Sequence, residues 1–243
     1  MKNLSASLFA LILLSITCVS YAQEKIDSSE ITSEVPELFN FHEVIYPMWH
    51  NAYPAKDYEA LKGFVPQIKA SVEAINDAKL PGILREREGD WKTRLNELNA
   101  VSKSYYAAAE KNDQEALLDA AEKLHREYEM MMRVIRPAIR ELDEYHQTLY
   151  IIYHKLLPAK KYDEIAGLTD NLIAKAEAIA TFPQEKLTRR LGDRIPQFDA
   201  AARELLAKTV ALKEALKAND AQKNNDAIEL MHTAYQQLDA VFH

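Results

Sequence analysis

The chain has 243 residues, 30 Lys plus Arg against 37 Asp plus Glu, a net charge of −7, and one cysteine. Its acidic and basic residues are interspersed, which excludes the basic footprint of a nucleic-acid binder. Cys18 alone excludes disulfides, thiolate metal centres and haem attached through Cys-x-x-Cys-His.

The first 22 residues read as an export signal: Lys2 gives a basic start, Leu8 to Val19 is a short apolar run, and Ser20-Tyr21-Ala22 has small residues at the cleavage position. Cleavage before Gln23 and delivery to a periplasm are expected, with no transmembrane segment left in the mature chain. Residues 23–35 are expected to form a flexible N-terminal segment. Beyond it, five glycines in the whole chain, abundant Ala, Leu, Glu and Lys, and no sustained strand-like alternation predict an all-α protein.

Helix A is expected from about Glu37 to Tyr53, ended by Pro54. Helix B carries Tyr58, Leu61, Val65, Ile68, Val72 and Ile75 at helical spacing, with Pro66 as a local blemish, and Pro81-Gly82 breaks the chain. Asp90 is the expected N-cap of helix C and Asp113 that of helix D, whose apolar face holds Leu117, Ala121, Leu124 and Tyr128. Helix D is expected to run into the next helix A, kinked at Pro137.

The remainder repeats this plan. His42-x3-Tyr46-x3-His50-x3-Pro54-Ala55-Lys56-x-Tyr58 returns 104 residues later as His146-x3-Tyr150-x3-His154-x3-Pro158-Ala159-Lys160-x-Tyr162, with 7 of 21 positions identical over 42–62. Gly89-Asp90 returns as Gly192-Asp193 at an offset of 103. Glu122-x-x-His125-x-x-Tyr128 returns as Glu229-x-x-His232-x-x-Tyr235 at an offset of 107, and Asn112-Asp113 as Asn219-Asp220. The expected architecture is two tandem up-down-up-down four-helix bundles, 36–137 and 138–243, related by internal duplication.

Two sets of three histidines dominate this repeat. His42 lies 12 residues before Pro54 and His125 lies 12 after Asp113; the second half gives the same counts from Pro158 to His146 and from Asp220 to His232. Counting thus puts His42 level with His125, and His146 level with His232, between the first and last helices of each bundle. His50 and His154 fall about 12 Å along, with Asp119 near the level of His50. Two imidazoles and a carboxylate are a common ligand set for Zn, Cu or Fe. The candidate metal ligands are His42, Glu122, His125 and His50, then His146, Glu229, His232 and His154. Carboxylate-bridged di-iron chemistry is not expected, since Glu73 and Glu177 are the only repeated acids on helix B. Histidines on apolar helix faces also serve as core residues bonded to Tyr, Asp or Glu, and Tyr46, Asp119, Glu122 and Tyr128 are available for that.

The run Lys217-Ala218-Asn219-Asp220, followed by an Ala-rich helix ending near Ala234-Tyr235, resembles the last helix of soluble b-type cytochromes, relatives of the cytochrome c-prime fold. The resemblance implies a periplasmic four-helix bundle with a ligand between first and last helices. That family's haem ligands are a Met on the first helix and a His after the Ala-Tyr. Here Gln236 follows Tyr235 and Glu129 follows Tyr128, while Met48 has Ile152 as its counterpart, so those ligands do not carry over.

Three functions follow. One is periplasmic binding, buffering or sensing of a transition metal at one His/Glu site per bundle. Another is electron transfer by haem b clamped between His42 and His125 and between His146 and His232. The third is a cofactor-free helical interaction module with a periplasmic protein partner. No nucleophile–base pair or phosphate-binding loop appears, so an enzyme is not expected.

Overall fold

A computed structural model describes residues 28–242; the export-signal reading of residues 1–22 lies outside them. The described chain is all-α, with nine helices of eight residues or more among the described residues: α1 Pro36–Pro47, α2 Val65–Asp77, α3 Glu88–Lys111, α4 Gln114–Ile135, α5 Arg140–Ile151, α6 Tyr162–Ala180, α7 Gln184–Leu191, α8 Ile195–Leu216 and α9 Ala221–Ala240. They pack antiparallel. In the first half α1 lies on α2, α2 on α3, α3 on α4, and α4 returns to α1. In the second half α5, α6, α8 and α9 make the same circuit. Helix α7 is an addition the sequence pattern did not signal. No helix among the described residues is long and apolar enough to cross a membrane.

Local chemistry explains most boundaries. Asp57, Asp113 and Asp220 are N-caps whose carboxylates accept from Ala60 N (2.9 Å), Ala116 N (3.1 Å) and Gln222 N (3.0 Å). Such a cap contributes about 1 kcal/mol. Before Asp113 and Asp220 stand Asn112 and Asn219, both left-handed at φ 55° and 49°. Asn112-Asp113 thus ends one helix and starts the next in adjacent residues, whereas α8 ends at Leu216 and a short turn through Asn219 leads to Asp220. Pro66 sits at the start of α2, splitting the expected helix B into Tyr58–Gly63 and Val65–Asp77.

Three boundaries differ from expectation. Pro54 does not end the first helix: after π-helical Met48–Ala52 the chain stays helical through Ala55 and ends in left-handed Lys56. Asp90 is not a cap, because the 3-10 turn Gly82–Arg87 feeds directly into α3 and leaves Asp90 in its first turn. Helix α4 does not run into α5. Arg136 is extended (ψ 129°), as a residue before proline prefers, and the helix restarts at Arg140.

The buried side chains form two clusters. One gathers residues from Val35 to Ile135 and adds Tyr150. The other runs from Leu142 to Phe242. Tyr150 therefore belongs to the second half by sequence and to the first cluster by packing.

Candidate functional site

The π-helical segments hold His50 and His154. In Met48–Ala52 and Ile152–Leu156 the backbone closes i→i−5 bonds, Tyr53 N to Met48 O and Leu157 N to Ile152 O (2.8 Å). A π-turn inserts one residue into the helical register, so the residues it contains cannot be placed by α-helical counting alone.

The histidine rings meet aromatic ones. His125 stacks flat on Trp49, with centroids 4.2 Å apart and planes 6° from parallel. Its counterpart His232 stacks on Tyr153 at 3.9 Å and 8°, and Tyr153 occupies the position of Trp49. His42 packs against Tyr128 (5.9 Å) and Tyr46 (5.6 Å); His146 stacks on Tyr235 at 4.4 Å. His50 lies against Tyr46 (4.6 Å) and His154 against Tyr150 (4.8 Å).

Counting from the helix ends put His42 beside His125 and His146 beside His232, but the rings of these pairs lean onto different partners. A helical side chain points back toward its own N-terminus. On antiparallel helices, two residues at one height therefore lean apart. His42 reaches Tyr128, one turn beyond His125, and His125 reaches Trp49, two turns beyond His42. Among the described residues no three His, Cys, Asp or Glu side chains converge as a metal-holding group. Glu122 accepts a hydrogen bond from Tyr53 Oη (3.3 Å), and Glu229 accepts from Tyr153 Oη (3.0 Å). Asp119 pairs with Lys123 (2.6 Å) one turn along its own helix, rather than with His50.

The two faces differ in what covers them. Over the second lies the turn Gly82–Arg87 from the first half. Arg85 Nη1 stands 3.0 Å from His154 Nδ1, and Arg85 Nη2 donates to Tyr150 Oη at 2.5 Å. A guanidinium only donates, so His154 Nδ1 accepts and the ring is neutral. Glu86 Oε1 is 3.3 Å from His232 Nε2 and accepts from Gln236 Nε2 at 3.0 Å. Arg87 spans the junction, donating to Val134 O (3.0 Å) on one side and to Asp239 Oδ1 (2.9 Å) on the other. Gly82 backs onto the Tyr150 hydroxyl so closely that a Cβ there would collide with it. Glu30 accepts from Tyr150 Oη (3.0 Å) and pairs with Lys155 (2.7 Å). Sequence reasoning missed Arg85, Glu86 and Arg87; the only signal was a dense charge run just after the Pro81-Gly82 break.

On the first face Tyr46 and the three histidines are more exposed than their counterparts. Tyr46 is 52 % exposed and Tyr150 is 1 % exposed. His42 and His50 are exposed where His146 and His154 are half-buried, and His125 is half-buried where His232 is buried.

Electrostatics follow the burial. Desolvation holds His146 down at about 4, with the nearby carboxylates of Asp239 and Glu86 opposing it. His154 is also held down at about 4, first by desolvation and then by the Arg85 charge. On the open face His125 is lowered, first by burial, with Glu129 opposing and His50 adding to the shift. His50, treated in the sequence as the outlier, is therefore the histidine within electrostatic reach of His125. The Glu86 carboxyl is lowered chiefly by its bond with His232.

No protein-family profile, curated protein or solved structure matches the chain, so the likeness to b-type cytochromes rests on Lys217 to Asp220 and Ala234-Tyr235 alone.

Proposed function

We propose that the chain is an exported, cofactor-free helical interaction protein. It comprises two copies of one four-helix bundle, 36–137 and 138–243, each presenting a histidine–aromatic face for protein contact. The second face is filled from within the chain, and the first is the binding surface. The observation that carries this reading is the contrast between Tyr150, covered by Arg85 and Glu30, and Tyr46, half in solvent. Exposed aromatic rings flanked by hydrogen-bonding side chains are favoured anchors of protein interfaces. The duplication is supported by the matched π-turns, by left-handed Lys56 and Lys160, and by the matched stacks of His125 and His232. Export rests on Lys2, the apolar run Leu8 to Val19 and Ser20-Tyr21-Ala22.

A second reading, binding of Zn, Cu or Fe, is favoured by the mutual influence of His50, His125 and Glu129 on the open face. Among the described residues no group of three His, Cys, Asp or Glu side chains converges there to hold an ion. A haem clamped by His42 and His125, or by His146 and His232, has less support, because the two rings of each pair lean onto different partners rather than toward one another.

A photo-cross-linking residue placed at position 46, in protein purified from the periplasm of producing cells, tests the reading. Covalent protein adducts from position 46 and none from position 150 are expected, with no Soret band. Absence of adducts overturns the interaction reading. A stoichiometric metal lost in the His50→Ala, His125→Ala double variant would establish the second reading instead.

A further inference from the structure

We propose that the occupant of the open His42/Tyr46/His50/His125 face is the α7 segment of a second copy of this chain, docking head to tail through Arg189. This rests on the interaction reading above and names its partner.

The first support is continuity with a contact the chain already makes. The turn Gly82–Arg87 of the first half covers the second face. By the Gly89/Gly192 match, the residues equivalent to Arg85, Glu86 and Arg87 are Thr188, Arg189 and Arg190. Thr188 and Arg189 are exposed on α7. The segment that would continue the series therefore lies on the surface of the second half, and the face it would cover lies open on the first.

The second support is a reciprocal exchange of charge. On the covered face the acid is Glu86, received by His232 and by the neutral amide of Gln236. On the open face the residue matching Gln236 is Glu129, beside His125, which matches His232. The residue matching Glu86 is Arg189. Both members change, and the new pair is complementary: a guanidinium facing a carboxylate, able to bond it with two parallel N–H donors. A copy of the covered contact with only one member changed would have lost its partner.

The contact is not a backbone copy. Residues 184–191 are α-helical where 82–87 form a 3-10 turn, and Glu185 stands where Gly82 does. The close approach of Gly82 to Tyr150 is therefore not reproduced at Tyr46, which leaves Tyr46 room at the margin and puts the weight on Arg189 with Glu129. A head-to-tail contact leaves an unused face and an unused segment at the two ends of any pair. It therefore generates closed rings or open filaments rather than a symmetric dimer.

Sedimentation velocity of the full chain tests this. Concentration-dependent association is expected, weakened about tenfold or more by Arg189→Glu or by Glu129→Arg alone and restored by the two together. Both residues lie at least partly in solvent, and circular dichroism checks that each variant folds. A chain that stays monomeric at high concentration, or an association indifferent to both substitutions, overturns the proposal. The cross-linker at position 46 separates this failure from failure of the interaction reading. Adducts to a second copy at α7 support the proposal. Adducts to a different protein, or to residues preceding Ser28 of the same chain, overturn it, and the different protein leaves the interaction reading standing. No adducts at all overturn both.

Discussion

At the level of single residues, His125, His146 and His232 lie flat on aromatic rings rather than converging as donors. Imidazole is the right size to lie on indole or phenol, and stacking with centroids near 4 Å adds about 1 kcal/mol beyond the area buried. A ring held this way resists protonation where burial strips it of water, and His146 shows the consequence, titrating at about 4. The unfolded imidazole titrates near about 6.5. As pH falls the unfolded chain takes up that proton first, so stability is complete above about pH 6.5 and declines until the folded ring titrates at about pH 4. Between pH 7 and pH 5 the unfolding free energy is expected to drop by about 2 kcal/mol from this group. The lowered His154 has the same sign, and the lowered Glu86 adds to the loss at more acidic pH. Urea denaturation across this range measures the slope. His146→Phe keeps a ring against Tyr235 and should flatten it, whereas a slope equal in both proteins would disprove the assignment.

At the level of helices, the repeated frame Pro-Ala-Lys has a structural reason. Lys56 and Lys160 adopt left-handed φ of 51° and 55°. Each closes the same pair of bonds: Lys56 N to Tyr53 O and Asp57 N to Ala52 O, then Lys160 N to Leu157 O and Lys161 N to Leu156 O. This is the Schellman arrangement, normally built on glycine. Lys160 is exposed, so Lys160→Gly should remove the left-handed penalty and raise stability by about 1 kcal/mol. A fall in the denaturation midpoint of that variant would contradict the argument. The same region marks the limit of what the sequence discloses. Helix faces and the Asp113 and Asp220 caps were legible, because period and cap act through local chemistry, whereas helix B was read through Pro66, where the chain divides into two helices. The π-turns were not legible: Met-Trp-His-Asn-Ala and Ile-Tyr-His-Lys-Leu share only the histidine, and neither carries a residue that forces an i→i−5 bond. The pairing of His125 with Trp49 follows the lean of each side chain toward its own N-terminus, which a count of backbone heights leaves out. The repeat could locate the candidate faces, but it could not say which one is covered, since Arg85 and Glu86 have no histidine-like signature.

For the whole molecule, the decisive question is how firmly the two core clusters are joined, because the covered face is also the junction. Arg87 carries much of that junction. Its side chain is only 15 % exposed, and its guanidinium bonds the end of α4 and the Asp239 carboxylate of α9 at once. Arg85 and Glu86 beside it reach Tyr150, His154 and His232, while Ser33 Oγ donates to Asp143 (2.6 Å) across the same boundary. Charge-assisted bonds around one buried tyrosine thus cross the junction, and such bonds are sensitive to loss of a single donor. Arg87→Ala should lower stability by about 2 kcal/mol and uncouple the clusters. A single calorimetric transition would then broaden, with a van't Hoff enthalpy below the calorimetric one. Because Ile83 and Leu84 still anchor the turn in the first core, secondary structure should be retained at 25 °C while Tyr150 and His154 gain access to solvent. An Arg87→Ala protein that melts as one unit at an unchanged temperature would mean that Tyr150 and its neighbours hold the halves together without the guanidinium. The junction would then rest on Arg85, Glu86 and the packing around Tyr150.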